Sequence, residues 1–357
     1  MVVDLTLGGA YAIAWLIFGW SADLKAWLAN FSSNAWLLVA LFAIVFGGIY
    51  LLANLPLSYY EDYVLPHRYQ QSTQQLGGWV SDQLKGLGIS ALLGGIVLEI
   101  IYAVLRAFPD TWWLWAAGIL IVFSVLLANL APVLLMPVFN KFVPLGPEHQ
   151  DLIDRLMRLF EKAGTRVQGV YKFDLSRRTK SANAALTGLG STRRIILGDT
   201  LLSEFTADEI ETVMAHELGH QVNHDIPLMI AAQAALTLAG LWLASLGLRW
   251  GVGLFGLGRP DNIAALPVFM LVMGLYGLVT MPLTNGLTRW RERKADQYAL
   301  TATHNAPAFA SAMTRLANQN LAEADPEPWV EFLLYSHPAM NRRIQMAQDY
   351  HGETTKS

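Results

Sequence analysis

The stretch that decides the reading is Thr212-Val213-Met214-Ala215-His216-Glu217-Leu218-Gly219-His220-Gln221-Val222-Asn223-His224-Asp225. Within it His216-Glu217-Leu218-Gly219-His220 has the pattern H-E-x-x-H. Histidines four apart on a helix lie one turn above each other on one face, so both imidazoles can reach one metal ion. The glutamate beside the first histidine is then placed to act as base on a metal-bound water. The competing reading is a surface helix that carries these residues by chance. His216 and His220 alone are too few, because a catalytic zinc takes three protein ligands and keeps a position for water.

Composition sets the environment. The chain has 357 residues, of which 54% are hydrophobic and 15% charged; soluble domains carry about one quarter charged residues, so this is a membrane-protein composition. The absence of cysteine excludes disulfides, thiolate ligands and a cysteine nucleophile, leaving His, Asp and Glu for a metal. The net charge of −3 gives no sign of a nucleic-acid partner.

Six apolar runs are long enough, or nearly so, to span a bilayer: Leu5–Trp20, Ala35–Leu57, Leu87–Phe108, Trp112–Phe139, Pro227–Trp250 and Asn262–Leu287. A seventh span, or loss of the first, would move only the N-terminus. Tyr59, Tyr60, Trp112, Trp113, Trp250 and Trp290 stand near their ends as an interfacial belt. With six spans, all but Lys25, Arg106, Arg249 and Arg259 of the 25 Lys and Arg fall on the side that holds 140–225 and both termini. The positive-inside rule makes that side cytoplasmic. Glu99 lies mid-span, where it either lines a wet cavity or is protonated or paired within the bundle.

Four parts are expected: 1–139, a membrane region of four spans; 140–225, a cytoplasmic domain with a small sheet and the H-E-x-x-H helix; 226–290, a transmembrane hairpin; and 291–357, a cytoplasmic C-terminal part. In the polar domain Glu148–Ala163 reads as an amphipathic helix stopped at Gly164 and Val167–Asp174 as a strand. Ala184–Thr187 and Arg194–Leu197 read as a hairpin around Gly188-Leu189-Gly190-Ser191. Thr206 and Glu209 form a capping-box pattern ahead of the histidines. Helices are expected over Pro307–Gln319 and Asn341–Tyr350, with 323–327 a loop.

For the third ligand, His224 lies about 12 Å from His216 by helical rise and more plausibly marks a break, with Asp225 capping the next span. Glu292 is better placed. The histidine helix precedes one span and Glu292 follows the next, so a hairpin returns both to one membrane face. The alternative for Glu292 is pairing with its basic neighbours. Asp296, one turn on, is placed to accept a hydrogen bond from a ligand imidazole, or is a surface acid. His337 and Arg343 are candidates to stabilise an oxyanion, and Asn183-Ala184-Ala185 is taken as the sheet edge on which a peptide could pair.

These residues resemble the type I CAAX prenyl endopeptidases, integral-membrane zinc metalloproteases of the gluzincin kind. The resemblance rests on 137–142 (PVFNKF), 181–184 (SANA) with Thr187-Gly188, 194–202 (RIILGDTLL), 216–220 (HELGH), 292–296 (ERKAD), and Ser336-His337-Pro338 with Arg343, in the family's order. It implies a mainly α, polytopic α-helical membrane protein enclosing an intramembrane chamber, with a zincin-like cytoplasmic domain. It implies one Zn2+ held by His216, His220 and Glu292, Glu217 as base, Asn183 on the substrate-binding strand, and His337 and Arg343 near the reacting carbonyl. The substrate would be a hydrophobic or membrane-associated peptide or protein, prenylated CAAX sequences included. The short chain suggests a bacterial member, acting as a monomer in the cytoplasmic membrane with its site toward the cytoplasm. Two alternatives remain at this point: a broad quality-control protease indifferent to prenyl groups, and a channel or transporter with a regulatory metal.

Overall fold

The computed structural model describes residues 2–188 and 190–350 and is mostly helical. Five helical stretches among them are long and apolar enough to cross a membrane: Ala35–Arg68, Leu76–Ala107, Trp112–Phe139, Asp225–Leu254 and Ile263–Thr303. Each of the five runs expected from the sequence at these places coincides with one of them, to within one residue where Phe108 and Asn262 fall just outside. Most extend beyond the apolar run because helical propensity continues past the point where hydropathy fails.

The first run behaves differently. Leu5–Trp20 is not one span: helix Val2–Ile17 stops before Gly19, whose φ is +72°, and Trp20–Ala29 resumes. The two segments are bent by 67°. Gly19 takes the left-handed conformation that a side chain would resist. The structure therefore has five spans, or six if the bent pair counts as one.

The chain forms two compact units. One comprises Met1–Tyr63, Val80–Leu126 and Ile230–Thr280. Its core is built from aromatic and aliphatic faces of the spans, with Trp15, Phe42, Phe46, Leu105, Trp112 and Leu248 buried. Outward-facing Leu52, Val122 and Val279 are exposed, as lipid contact requires.

The second unit comprises Val64–Trp79, Leu127–Met229 and Met281–Ser357. It holds a four-stranded sheet of β1 (Phe142–Pro144), β2 (Val170–Phe173), β3 (Ala184–Thr187) and β4 (Arg194–Gly198) in the order β1-β2-β4-β3. The hairpin pairs Ala184 with Leu197 and Thr187 with Arg194, and a 3-10 turn at Gly190–Thr192 lies in its connection; Leu189 falls outside the described residues. β3 is an edge, as expected. β1, which pairs antiparallel with β2, was not anticipated, because three residues ending in proline carry no alternation to read.

Helix Gln150–Lys162 buries Leu152, Leu156, Leu159 and Phe160, the periodic face seen in the sequence. Its N-terminus is preceded by a 3-10 turn at Pro147–His149. Helices Ala306–Gln319 and Met340–Gln348 match the two expected downstream. A further helix, Pro328–Leu334, follows the acidic loop. The shared core joins the sheet to the histidine helix through Ile195, Leu197, Ile210, Met214, Leu218 and Phe309.

Candidate metal centre

The histidines lie on helix Ala207–Val222. Its start is fixed by Thr206, whose hydroxyl accepts from the Glu209 amide at 3.3 Å while the Glu209 carboxylate accepts from the Thr206 amide at 2.8 Å. The same carboxylate accepts from Ser311 at 2.5 Å and from Arg315 Nε at 2.9 Å. The capping box is thereby tied to helix Ala306–Gln319. One side of the histidine helix buries Ile210, Met214 and Leu218; His216, also buried, and His220 stand one turn apart on a different face.

Helix Leu266–Thr303 brings Glu292 to them. The approach is close: a Cβ on Gly219 would lie 3.0 Å from Ala295 Cα and 3.1 Å from its carbonyl oxygen. One of the two unspecified positions in the motif is therefore a packing requirement. Nε2 of His216 is 3.2 Å from Nε2 of His220. The Glu292 carboxylate lies 3.3 Å from the first and 3.4 Å from the second. His216, His220 and Glu292 place one donor atom each within 4.8 Å of one another.

The protonation pattern supports a shared cation. His216 Nδ1 is 2.8 Å from Asp296 Oδ1, and His220 Nδ1 is 2.7 Å from Asp225 Oδ2. A carboxylate accepts, so each Nδ1 carries the proton and each Nε2 turns a lone pair to the common point. Glu292 Oε2 is buried and accepts no hydrogen bond among the described residues. Three converging electron-pair donors with an orphaned carboxylate oxygen fit a divalent metal with nitrogen and oxygen ligands. The pKa of His216 points the same way. Burial lowers it, yet hydrogen bonds to Asp296 and Glu292 outweigh burial and push it up to about 9. The surroundings thus favour positive charge there, which a second proton at Nε2 supplies when no cation is bound and a metal ion would supply in its place.

Asp225 and Arg291 were not recognised from the sequence as parts of this arrangement. Asp225 was expected to cap the following span. It instead serves His220, because His224 adopts φ +54° and folds the chain back after Val222. Arg291 pairs with Asp225 and donates to the Asn223 carbonyl at 2.5 Å. The available signal was the acid following an H-E-x-x-H helix within a few residues, and it was read as a helix start.

The remaining sequence candidates divide. His337 comes to the cluster, with Nε2 3.5 Å from Glu292 Oε1, and its side chain is 57% exposed. Glu217 is half-buried beside the histidines; burial pushes its carboxyl up, against the pull of both imidazoles. Arg343 is buried and donates to Asp296 through Nε at 2.8 Å and Nη2 at 2.6 Å. It stands behind the His216–Asp296 pair, with Nη2 3.5 Å from His216 Nδ1. Asn183 and Ala184 lie at the edge strand β3, which packs against the histidine helix. His224 has no place in the cluster.

Membrane-crossing helices with a His-His-Glu donor set on two packed helices define an integral-membrane metalloendopeptidase. The chain belongs to peptidase family M48, which it matches over residues 147–351, and over 1–141 it matches the CAAX prenyl protease N-terminal family of five membrane helices. It is 30% identical to the uncharacterized metalloprotease YhfN of Bacillus subtilis, across 93% of this chain and 78% of that protein. CAAX prenyl protease 1 of Saccharomyces cerevisiae is also 30% identical, across 86% and 71% of the two chains. The crystal structure of S. mikatae Ste24p superposes with a TM-score of 0.81 at 27% identity, covering 89% of this chain and 77% of that one. The enzyme is thus a multi-pass membrane protein that uses a metal to act on peptide or protein substrates.

Proposed function

We propose that His216, His220 and Glu292 hold one Zn2+ ion and that Glu217 is the general base for hydrolysis of peptide bonds in hydrophobic or membrane-associated substrates. The observation that carries this reading is the convergence of two Nε2 lone pairs and the Glu292 carboxylate, with each Nδ1 tied to an aspartate. Zinc in that set supplies Lewis acidity toward water and the scissile carbonyl.

The chain's own residues divide the remaining work. Glu217, its carboxyl raised by burial, takes a proton from the attacking water as the C–O bond forms and returns it to the amine as the C–N bond breaks. His337, at the open side of Glu292, is placed to donate to the oxyanion. Asp296 and Asp225 are positioning residues that fix the histidine tautomers, and Arg343 and Arg291 hold those aspartates. The substrate chain pairs as an added strand on β3 at Asn183 and Ala184.

In this reading 140–225 and 291–357 together form the catalytic part, and the two segments between and before them are its membrane region. The distribution of Lys and Arg supports a cytoplasmic orientation. The CAAX prenyl protease names among the relatives support prenylated CAAX sequences as substrates; in this reading the enzyme acts as a monomer. The deciding experiment follows cleavage of a prenylated CAAX peptide and its unprenylated twin, with metal chelation and zinc add-back. Cleavage should stop on chelation, return with zinc, and favour the prenylated peptide; equal rates would sink the prenyl preference alone. Glu217→Gln should retain the metal while losing about 10²–10⁴-fold in kcat. Full activity in that variant would remove Glu217 from the mechanism, and unchanged zinc content in Glu292→Ala would point to another donor.

A further inference from the structure

Within the unit made of Met1–Tyr63, Val80–Leu126 and Ile230–Thr280, a cavity of about 460 Å3 lies where successive spans connect. Helix Ala35–Tyr59 begins there, helix Leu76–Ala107 ends there, and 257–263 leads into the last span. Lys25, Arg106, Arg259 and Asp261 supply its charge, and Leu38 and Ile263 belong to its apolar wall.

Only one of the three cations is satisfied by the acid. Arg259 donates to Asp261 through Nε at 3.0 Å and Nη2 at 3.3 Å. Neither Lys25 nor Arg106 forms an ion pair among the described residues. The guanidinium of Arg106 lies over the Trp36 ring, 5.1 Å from its centre, and its Nη2 is buried without a hydrogen-bond partner. Glu99, two turns back on the same helix, interacts electrostatically with Arg106 but does not line the cavity. The lining is therefore cationic on balance. Trp36 covers one side of the guanidinium while Arg106 still lines the cavity, and the N–H groups of a guanidinium match a planar or tetrahedral oxyanion.

We propose that this cavity binds the phosphate of an anionic phospholipid. Arg106 and Lys25 hold the phosphate oxygens, and the wall at Leu38 and Ile263 receives the glycerol end of the acyl chains. A phosphate is matched by the donors of a guanidinium and an ammonium. The lipid source follows from position, since the lining residues stand at span ends, where headgroups reside, and its unpaired cations match an anionic headgroup. The site uses none of the residues of the metal centre.

The test is the melting temperature of the full chain in nanodiscs, read by tryptophan fluorescence. One preparation holds phosphatidylcholine alone and the other equal parts phosphatidylcholine and phosphatidylglycerol. The mixture should raise the wild-type midpoint by roughly 2–4 °C. Lys25→Gln and Arg106→Gln should each remove about half of that rise, while Lys25→Arg and Arg249→Gln keep it. Lys25 is half-exposed, so its replacement leaves packing intact even if the Arg106 variant fails to fold. An equal rise in wild type and Lys25→Gln, or no rise in wild type, would overturn the site. The same rise from millimolar inorganic phosphate in phosphatidylcholine discs would overturn its assignment to lipid.

Discussion

Asp225 Oδ2 lies 2.7 Å from Nδ1 of His220, five residues earlier in the chain. The contact exists because the histidine helix ends at Val222 and His224 turns the chain back through a positive φ. Asp296 makes the matching contact to His216 across 80 residues of sequence. The two imidazoles are thus set by carboxylates of different origin, one local and one brought by a second helix.

If Asp225 orients His220, Asp225→Asn should weaken metal binding by roughly 10–100-fold. An amide accepts less strongly than a carboxylate, and its other end can donate, which would favour the wrong tautomer. Competition with a chromophoric chelator measures the affinity. An unaltered affinity would show that Asp225 serves only Arg291, with which it also pairs.

Gly219 packs directly against the backbone of Ala295 on the other metal-bearing helix. Gly219→Ala should destabilise the enzyme by about 1–3 kcal/mol, since the new methyl must displace the Ala295 backbone by a few tenths of an ångström. Gly219→Leu should lower metal content in the folded fraction as well, because it forces Glu292 away from the histidines. A leucine variant with full metal content and wild-type melting would refute the close-approach argument.

Glu209 predicts a pH dependence of stability. Burial opposes its ionisation, but hydrogen bonds from Ser311, Thr206 and Arg315 prevail and hold the carboxyl below its ordinary value of 4.5. A folded pKa below the unfolded one means the stabilisation is complete above 4.5 and is lost as pH falls through the folded value. At neutral pH Glu209→Gln should cost about 1.5–3 kcal/mol. The gap between variant and wild type should narrow at about pH 4 and below, as read from denaturation midpoints. A gap constant with pH would mean that shape rather than charge matters at this position.

Much of the architecture was legible because its causes are local. A span announces itself through about 20 apolar residues, and Thr206–Glu209 announces a helix start because the capping box is closed within one turn. Gln150–Lys162 could be read from one apolar face. The bend at Gly19 was missed because Leu5–Trp20 is apolar throughout, and hydropathy does not report backbone conformation. β1 was missed because it exists by pairing with β2, each residue with a partner 27 or more positions away.

The metal centre divides along the same line. His216 and His220 face together because the α-helix repeats every 3.6 residues, so their juxtaposition was a property of spacing alone. Glu292 could be placed on the same membrane face from the order of the spans. The sequence by itself thus determined a membrane-embedded chain with a histidine pair and an acid returning beside it. Only the tertiary structure decided how the acid arrives, through the Gly219–Ala295 contact, and that Asp225 leaves its expected capping role to hold His220. It also placed Arg343 behind Asp296 rather than in the open. The physical reason is that a side chain's hydrogen-bond partner depends on helix packing and on single backbone torsions, and neither is encoded in residue spacing.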